Sequence, residues 1–582
     1  MKDVFPTTNS RPSPWAGIRW MARSDARGST AFALSYHWAC QNTRRRRHLC
    51  ALLVILALVA VLSSAGAGPA ANPEVVVYGG VPCGIAASIA AARDGAKVVL
   101  VEPTKHVGGL STSGLNTAET EHMLKWTFGG IAQEFYQRLG KEYGTGHAEY
   151  YFESSVAQKV YDAMLREAGV EIHYGARVDK VTKDGANIQS IVLTDGTTLT
   201  AKVFIDASYE GDLMARAGVK YAIGRESVAE FGEDGAGIRF EATPRHAATV
   251  DEQGKLLAGI SGWKKDFTEG EAHRGTMNYN WRLTFAKDPA NRVPIPEPAH
   301  YDRARYRLLE NWLREKTGRG EKVALRDIID LYPRRNGKLE VNNKQAAVIS
   351  IGDFGGQFDY PDGDYATRER IIADHTEYTL GLFHFLATDE SVPAALRDEM
   401  REYGLHKGEF VDNGHWPYQI YVREARRMRG DFVVTQKDVI EDRHKPDAIA
   451  VGSHFIDSHH VQRLAVSPTE FVNEGRLWRV GYAYQIPYRA LLPKTAECTN
   501  LLVPGAASYT HVAFCTLRLE STWMMVGHAA GVAAAMAAKD GTTVQSIDVP
   551  ALQEKLRAQK QIIDFIPGQP EQFEDGKREK QF

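Results

Sequence analysis

The sequence predicts an α/β fold: a Rossmann-like nucleotide-binding domain interrupted by an inserted α+β substrate domain. Three observations carry this. The first is a β-α-β pattern near residue 74, where residues 75–78 read as a buried parallel strand, 85–93 as an alanine-rich helix, and 97–101 as a second strand ending in Glu102. The second is the return of α/β character near residue 488, with a buried strand over 500–505 and an alanine-rich helix opening at Gly527 and running to 539. The third is the stretch between them, which is aromatic, charged and punctuated by proline from about residue 225.

Taken in order, Gly79, Gly80 and Gly84 supply the tight turn after the first strand, with Val81, Pro82 and Cys83 between them. Free N–H groups at the helix start, backed by the helix dipole, favour a pyrophosphate. Val81 stands where the dinucleotide fingerprint has its middle glycine, so a Cβ occupies a place where backbone would approach phosphate. Glu102, about 20 positions on, falls where an acidic side chain accepts hydrogen bonds from an adenosine ribose. Gly108, Gly109, Leu110 and Ser111 open a backbone-rich loop able to lie close to a flat ligand. Helices are predicted from 128 to 135 and over 156–168, the latter stopped by Gly169, followed by a meander over 176–201. The strand over 203–208 carries Asp206 and Ala207. In the middle of the chain helices are predicted over 302–316, 367–387 and 392–403, and the charged run 423–427 reads as a helix with salt-bridged faces. Asp548 caps a last helix over 550–559, and 568–582 reads as a frayed polar tail.

A chain of 582 residues is too long for one core. The expected divisions are 1–72 (extension and signal peptide), 73–225 and 481–545 (the two parts of the nucleotide domain), 226–480 (the insert) and 546–582 (terminal helix and tail). With 43% hydrophobic and 24% charged residues and a formal net charge of −2, the chain is globular and lacks the concentrated basic face that nucleic-acid binding needs. Five cysteines make no framework; the spacing of Cys83, Cys498 and Cys515 matches no metal site, although Cys498 and Cys515 could pair. Asp457, Ser458, His459 and His460 are metal-ligand types, but adjacent histidines point different ways, and no metal is expected. At the N-terminus, the basic run 44–47, the apolar run 49–62 and Ala65-Gly66-Ala67 read as a cleaved export signal. The apolar run is shorter than the roughly 20 residues of a spanning helix, so an exported protein is expected, periplasmic or secreted, with a membrane anchor as the alternative.

These separated pieces resemble flavoproteins of the glutathione-reductase-like FAD-binding fold. More narrowly, Tyr78-Gly79-Gly80 and the runs 205–212, 421–428, 486–489 and 511–514 resemble a family of secreted bacterial FAD-dependent oxidoreductases sometimes labelled xanthan-lyase-like, over about residues 74 to 560. The resemblance implies FAD as cofactor, held by the two glycine loops from Gly79 to Gly84 and Gly108 to Ser111, Glu102, Asp206, Ala207 and Gly505. It further implies a backbone contact from Val178 to adenine, and a helix carrying Gly531 whose N-terminus faces the flavin pyrimidine.

No second glycine fingerprint follows a strand, so electrons are expected from a small-molecule substrate rather than a nicotinamide, and the final electron acceptor is left open. Hydride would pass from a substrate C–H to flavin N5, with a base taking the hydroxyl proton of an alcohol donor. His511 is the candidate base, with Arg518 and Glu520 on the same segment; a structural histidine and an Arg518–Glu520 bridge are the plainer readings. Trp416 and Tyr418 could stack on a sugar, and Arg423 could reach an anionic group. The family's setting and the aromatic-polar insert suggest a carbohydrate derivative. A flavin-dependent isomerase or lyase without net redox, or a non-catalytic flavin-binding protein, are the alternatives.

Overall fold

The computed structural model describes residues 72–573; the segment read above as an export signal and residues 574–582 lie outside them. Val75–Tyr78 (β1) is the middle strand of a five-stranded parallel sheet with Val98–Glu102 (β2), Glu171–Tyr174 (β3), Val203–Asp206 (β4) and Leu501–Leu502 (β5), in the order β5-β4-β1-β2-β3. The strands β1, β2 and β4 are buried along their whole length, which is why they read as unbroken apolar runs. The chain leaves this sheet after β4 and returns to it only with β5, so the two ends of the described sequence share one sheet.

Four helices position the site: α1 (Pro82–Arg93), α2 (Tyr365–Thr388), α3 (His511–Leu517) and α4 (Glu520–Asp540). The last is longer than predicted, because Gly527 is not its start. A Cβ at Gly527 would overlap the Cys83 carbonyl, and one at Gly531 the Ala87 carbonyl. These glycines let α1 and α4 lie in backbone contact, a packing signal that reads like a terminus in sequence. Both contacts advance four residues in the same sense, so the helices run parallel. The first turn of α4, seven residues before Gly527, therefore projects beyond that of α1 by roughly 10 Å at 1.5 Å per residue.

The middle of the chain forms an antiparallel five-stranded sheet (292–293, 404–406, 283–286, 339–343, 329–333) and a four-stranded one (262–263, 462–467, 470–474, 245–246). It shares one apolar core with α1 and α4, running from Val75 to Ile563. The run 423–427 is not a helix: Arg426–Met428 is a strand, antiparallel to Tyr221–Ile223. Its arginines are buried, and besides the local Arg427–Glu424 pair they meet Glu226, Asp212 and Asn278 from distant segments, which an extended chain allows and a solvent-facing helix does not. Cys83, Cys498 and Cys515 are all free and buried. The start of the expected tail is packed: Ala483 N donates to Glu571 O at 2.8 Å and Trp126 Nε1 to Pro570 O at 2.8 Å. Among the described residues no helix is long and apolar enough to cross a membrane.

Candidate functional site

The chain turns out of β1 at Gly79, where φ is +99° and a Cβ would stand 2.8 Å from the Ser208 backbone; only glycine meets both conditions. Gly80 N donates to Glu102 Oε2 at 2.8 Å, and a Cβ on Gly80 would press on that same oxygen. Gly84 sits against the Gly79 carbonyl. The crowded positions are thus 79, 80 and 84, whereas Val81 is the N-cap of α1 with φ −77° and ψ 170°, ordinary for any residue. Pro82 follows at the first helical position, where its missing N–H costs nothing. The second loop turns at Gly108 (φ +109°) and Gly109 (φ +52°), and Leu110 N donates to the Tyr209 hydroxyl at 3.0 Å. Ala207 N donates to Tyr78 O at 2.9 Å, and a Cβ at Gly505 would overlap the Ser208 carbonyl, so the ends of β1, β4 and β5 converge here.

Burial pushes the Glu102 carboxyl up to about 7, against hydrogen bonds from Thr104 and Gly80. Asp206 holds its own turn, accepting from Ser208 N (3.1 Å), Ser208 Oγ (2.6 Å) and Met214 N (2.8 Å). The Val178 carbonyl accepts from the Tyr365 hydroxyl of α2 at 2.6 Å. Gly531 faces Ala87 midway along α4, so the helix end expected from it is the turn that begins at Glu520.

Neither α1 nor α4 has a side-chain N-cap. Beside them Ser113 Oγ, Thr522 Oγ1 and Glu520 Oε2 are buried without a hydrogen-bond partner. Two uncapped helix ends roughly 10 Å apart suit an extended ligand with a diphosphate at one end and a polar ring at the other. The donor set therefore fits a flavin dinucleotide. A cavity of 160 Å³ opens against Gly79, Val81, Glu102, Ser208 and Tyr365. That is less than the roughly 300–1,000 Å³ of small-molecule sites, so seating the whole dinucleotide requires lining side chains to move.

A Rossmann-like sheet with this donor set defines a flavin-dependent enzyme. Residues 74–556 match the FAD dependent oxidoreductase family, and the chain belongs to it; FAD is its cofactor. Among solved structures it is similar to the THI4 protein of Thermovibrio ammonificans (18% identity, 30% of this chain and 71% of that one, TM-score 0.20). It is also similar to T. acidophilum thioredoxin reductase (20% identity, 23% and 34%, TM-score 0.15) and a flavin monooxygenase from Stenotrophomonas maltophilia (16% identity, 28% and 44%, TM-score 0.19). The chain spans less than half the length of these last two. No curated protein matches it.

The three expected catalytic residues part company. His511 opens α3 with Nδ1 2.9 Å from Glu424 Oε2 and Nε2 3.0 Å from Ser458 Oγ. Arg427 donates to both Glu424 and Glu226, and Glu226 accepts from His511 N at 2.9 Å. Burial works to lower the imidazole pKa, but Glu424 and Cys515 outweigh it and push it up to about 10. With Glu424 on one ring nitrogen and Ser458 on the other, His511 belongs to a buried ion-pair network and lines neither the 160 Å³ cavity nor the polar one of 370 Å³, which favours the plainer structural reading. Arg518 does not pair with Glu520. It donates to Asp457 O at 2.6 Å, Asp457 Oδ2 at 3.2 Å and the Tyr421 hydroxyl at 3.0 Å. Glu520 accepts from the Tyr209 hydroxyl at 2.6 Å, and burial pushes it up to about 8, a neutral acid at pH 7.

Sequence reasoning missed a polar cavity of 370 Å³ lined by Glu119, Glu121, His122, Arg282, Asp330, Tyr332, Arg334, Asn342, Asn343, Gln345, Asp457, His459, Arg476 and Trp478. Trp478 and Tyr332 are 43% and 38% exposed, with Arg476 and Arg334 over their rings. Asp457 Oδ1 has no hydrogen-bond partner, with Arg476 3.5 Å away. His459 Nε2 donates to Asp457 Oδ2 at 3.1 Å, and burial and Arg423 lower its pKa to about 3 despite that carboxylate, so it is neutral. Arg423 is fully buried against Asn278 and Asn280. Trp416 packs edge-on to Trp281 (5.6 Å), whereas Tyr418 stacks on His106 (3.6 Å) and lines the smaller cavity beside Gly79; neither lines the polar one. The 457–460 cluster was the one sequence signal pointing here; nothing in the local sequence singles out Tyr332 or Arg282.

Proposed function

We propose that the protein oxidises a small polyhydroxylated molecule, a carbohydrate derivative, and that the 370 Å³ cavity is its substrate site. The observation that carries this is the link from the cavity to the flavin end of the fold. Asp457 lines the cavity and is bound by Arg518, two residues before the uncapped first turn of α4. Sugars offer apolar C–H faces and hydroxyl edges, and the cavity answers with Trp478 and Tyr332 beside carboxylate, guanidinium and amide groups. When bound, FAD supplies the acceptor for the hydride leaving a substrate C–H. Asp457 Oδ1 accepts the hydrogen bond, and then the proton, of the substrate hydroxyl as the hydride leaves, while His459 and Arg518 hold the carboxylate in place. Arg282 and Arg476 donate to neighbouring oxygens. The missing second glycine fingerprint supports the substrate as electron source, and the leader over 44–67 supports an exported protein.

The test is anaerobic mixing with sugars, alditols and sugar acids, following loss of the oxidised-flavin band near roughly 450 nm. At least one should bleach the band, and Trp478→Ala should raise the concentration needed by about tenfold, or 1.4 kcal/mol. Turnover without any electron acceptor would replace oxidation by isomerisation or elimination. No bleaching and no turnover across the panel would reduce the protein to a flavin binder.

A further inference from the structure

We propose that Glu119, His122 and His454 bind one divalent transition-metal ion of the zinc type at the edge of the polar cavity. One ligand atom from each lies within 4.8 Å of the others. Glu119 and His122 are brought together by a short 3₁₀ turn, Thr120–His122, with Glu119 at its N-cap and His122 N donating to Glu119 O at 3.1 Å. The turn is entered through Ala118 and Glu119, both at positive φ (47° and 53°), a conformation non-glycine residues adopt only where surroundings impose it. The far end is tied to the third ligand's segment, since Leu124 N donates to Ser453 Oγ at 3.0 Å, next to His454.

His454 is the second, independent observation. It is fully buried, and its Nδ1 lies 2.7 Å from the Phe455 carbonyl. A carbonyl only accepts, so the proton sits on Nδ1 and Nε2 carries a lone pair; metal-binding histidines are oriented by this same kind of backbone contact. That Nε2 has no hydrogen-bond partner and lies 3.8 Å from Glu119 Oε2. Two ligands on one tetrahedral zinc are separated by roughly 3.4 Å. His122 Nδ1 is likewise buried without a partner.

Two imidazoles and one carboxylate suit zinc and its first-row neighbours rather than calcium or magnesium, which take oxygen ligands. Three protein ligands leave a fourth position for water or an oxygen from the cavity that Glu119 and His122 also line.

The test uses the untagged FAD-loaded protein, stripped with chelator and titrated with Zn²⁺, and with Co²⁺ for its visible tetrahedral bands. One equivalent should bind at micromolar concentration, and Glu119→Gln or His122→Ala should weaken binding at least about tenfold while leaving the flavin spectrum intact. His122 is only half-buried, which keeps its variant foldable if a change at Glu119 is not tolerated. No uptake by the stripped protein, or uptake that neither substitution weakens, would overturn the proposal. Metal uptake is read without substrate, so it stands or falls apart from the oxidation proposed above.

Discussion

Around the first turns of α1 and α4 the fold is set by backbone meeting backbone. Gly79 lies against Ser208, Gly84 against Gly79, Gly505 against Ser208, Gly527 against Cys83 and Gly531 against Ala87. Around the polar cavity and the network behind it, contacts run through long charged side chains, mostly from separate segments: Arg518 to Asp457, Arg427 to Glu226, Lys338 to Glu409. The first region leaves little to side-chain chemistry and is sensitive to volume. The second is sensitive to charge, because each ion there is out of water and answered by one or two partners. Damage to the two regions should therefore look different.

The largest effect is expected from Arg427→Met. The guanidinium is fully buried, and its loss leaves Glu424 with His511 alone and Glu226 with only the partly exposed Arg429. Removing one partner of such a network costs about 3–5 kcal/mol, read as a fall in the urea midpoint. A loss under about 1 kcal/mol would mean that water reaches these groups and that the contrast is overstated.

Gly527→Val comes next, at about 1–3 kcal/mol, since its Cβ overlaps the Cys83 carbonyl and the helices must separate. Gly318→Ala is the control. Its Cβ would meet nothing within 4 Å at the end of the helix Arg307–Gly318, and it should be neutral or stabilising by about 0.5–1 kcal/mol. Equal effects at the two positions would remove the helix contact as the cause.

The smallest effects are slopes against pH. Glu520 rises from an ordinary 4.5 to about 8 on burial, so the folded chain keeps a proton the unfolded chain has lost. Stability then falls as pH rises from 4.5 to 8, and Glu520→Gln should remove that part of the slope. His511 rises from 6.5 to about 10 beside Glu424, with Cys515 and Arg427 close by, so its contribution is complete below 6.5 and lost as pH approaches 10. His511→Gln should reduce the slope between 6.5 and 10 and leave unchanged the part between 4.5 and 6.5, where Glu520 titrates without it. If His511→Gln also flattens that lowest part, the two groups titrate as one unit rather than as neighbours in separate regions.

What the sequence determined by itself follows from this same contrast. The apolar runs of β1, β2 and β4, the glycines at 79, 80 and 84, and Glu102 are local features whose geometry is imposed by backbone sterics over a few residues. They were legible before any coordinate was known. Gly527 and Gly531 were visible too but misread, because a glycine that admits a neighbouring helix looks like one that ends its own. Only the tertiary structure decided which charged groups meet. It sent Arg427 to Glu226, placed His511 between Glu424 and Ser458, and set His454 beside Glu119 and His122. Pairing between distant side chains depends on how the chain returns through space, and a carboxylate carries no local mark of the cation, or the metal, that will reach it.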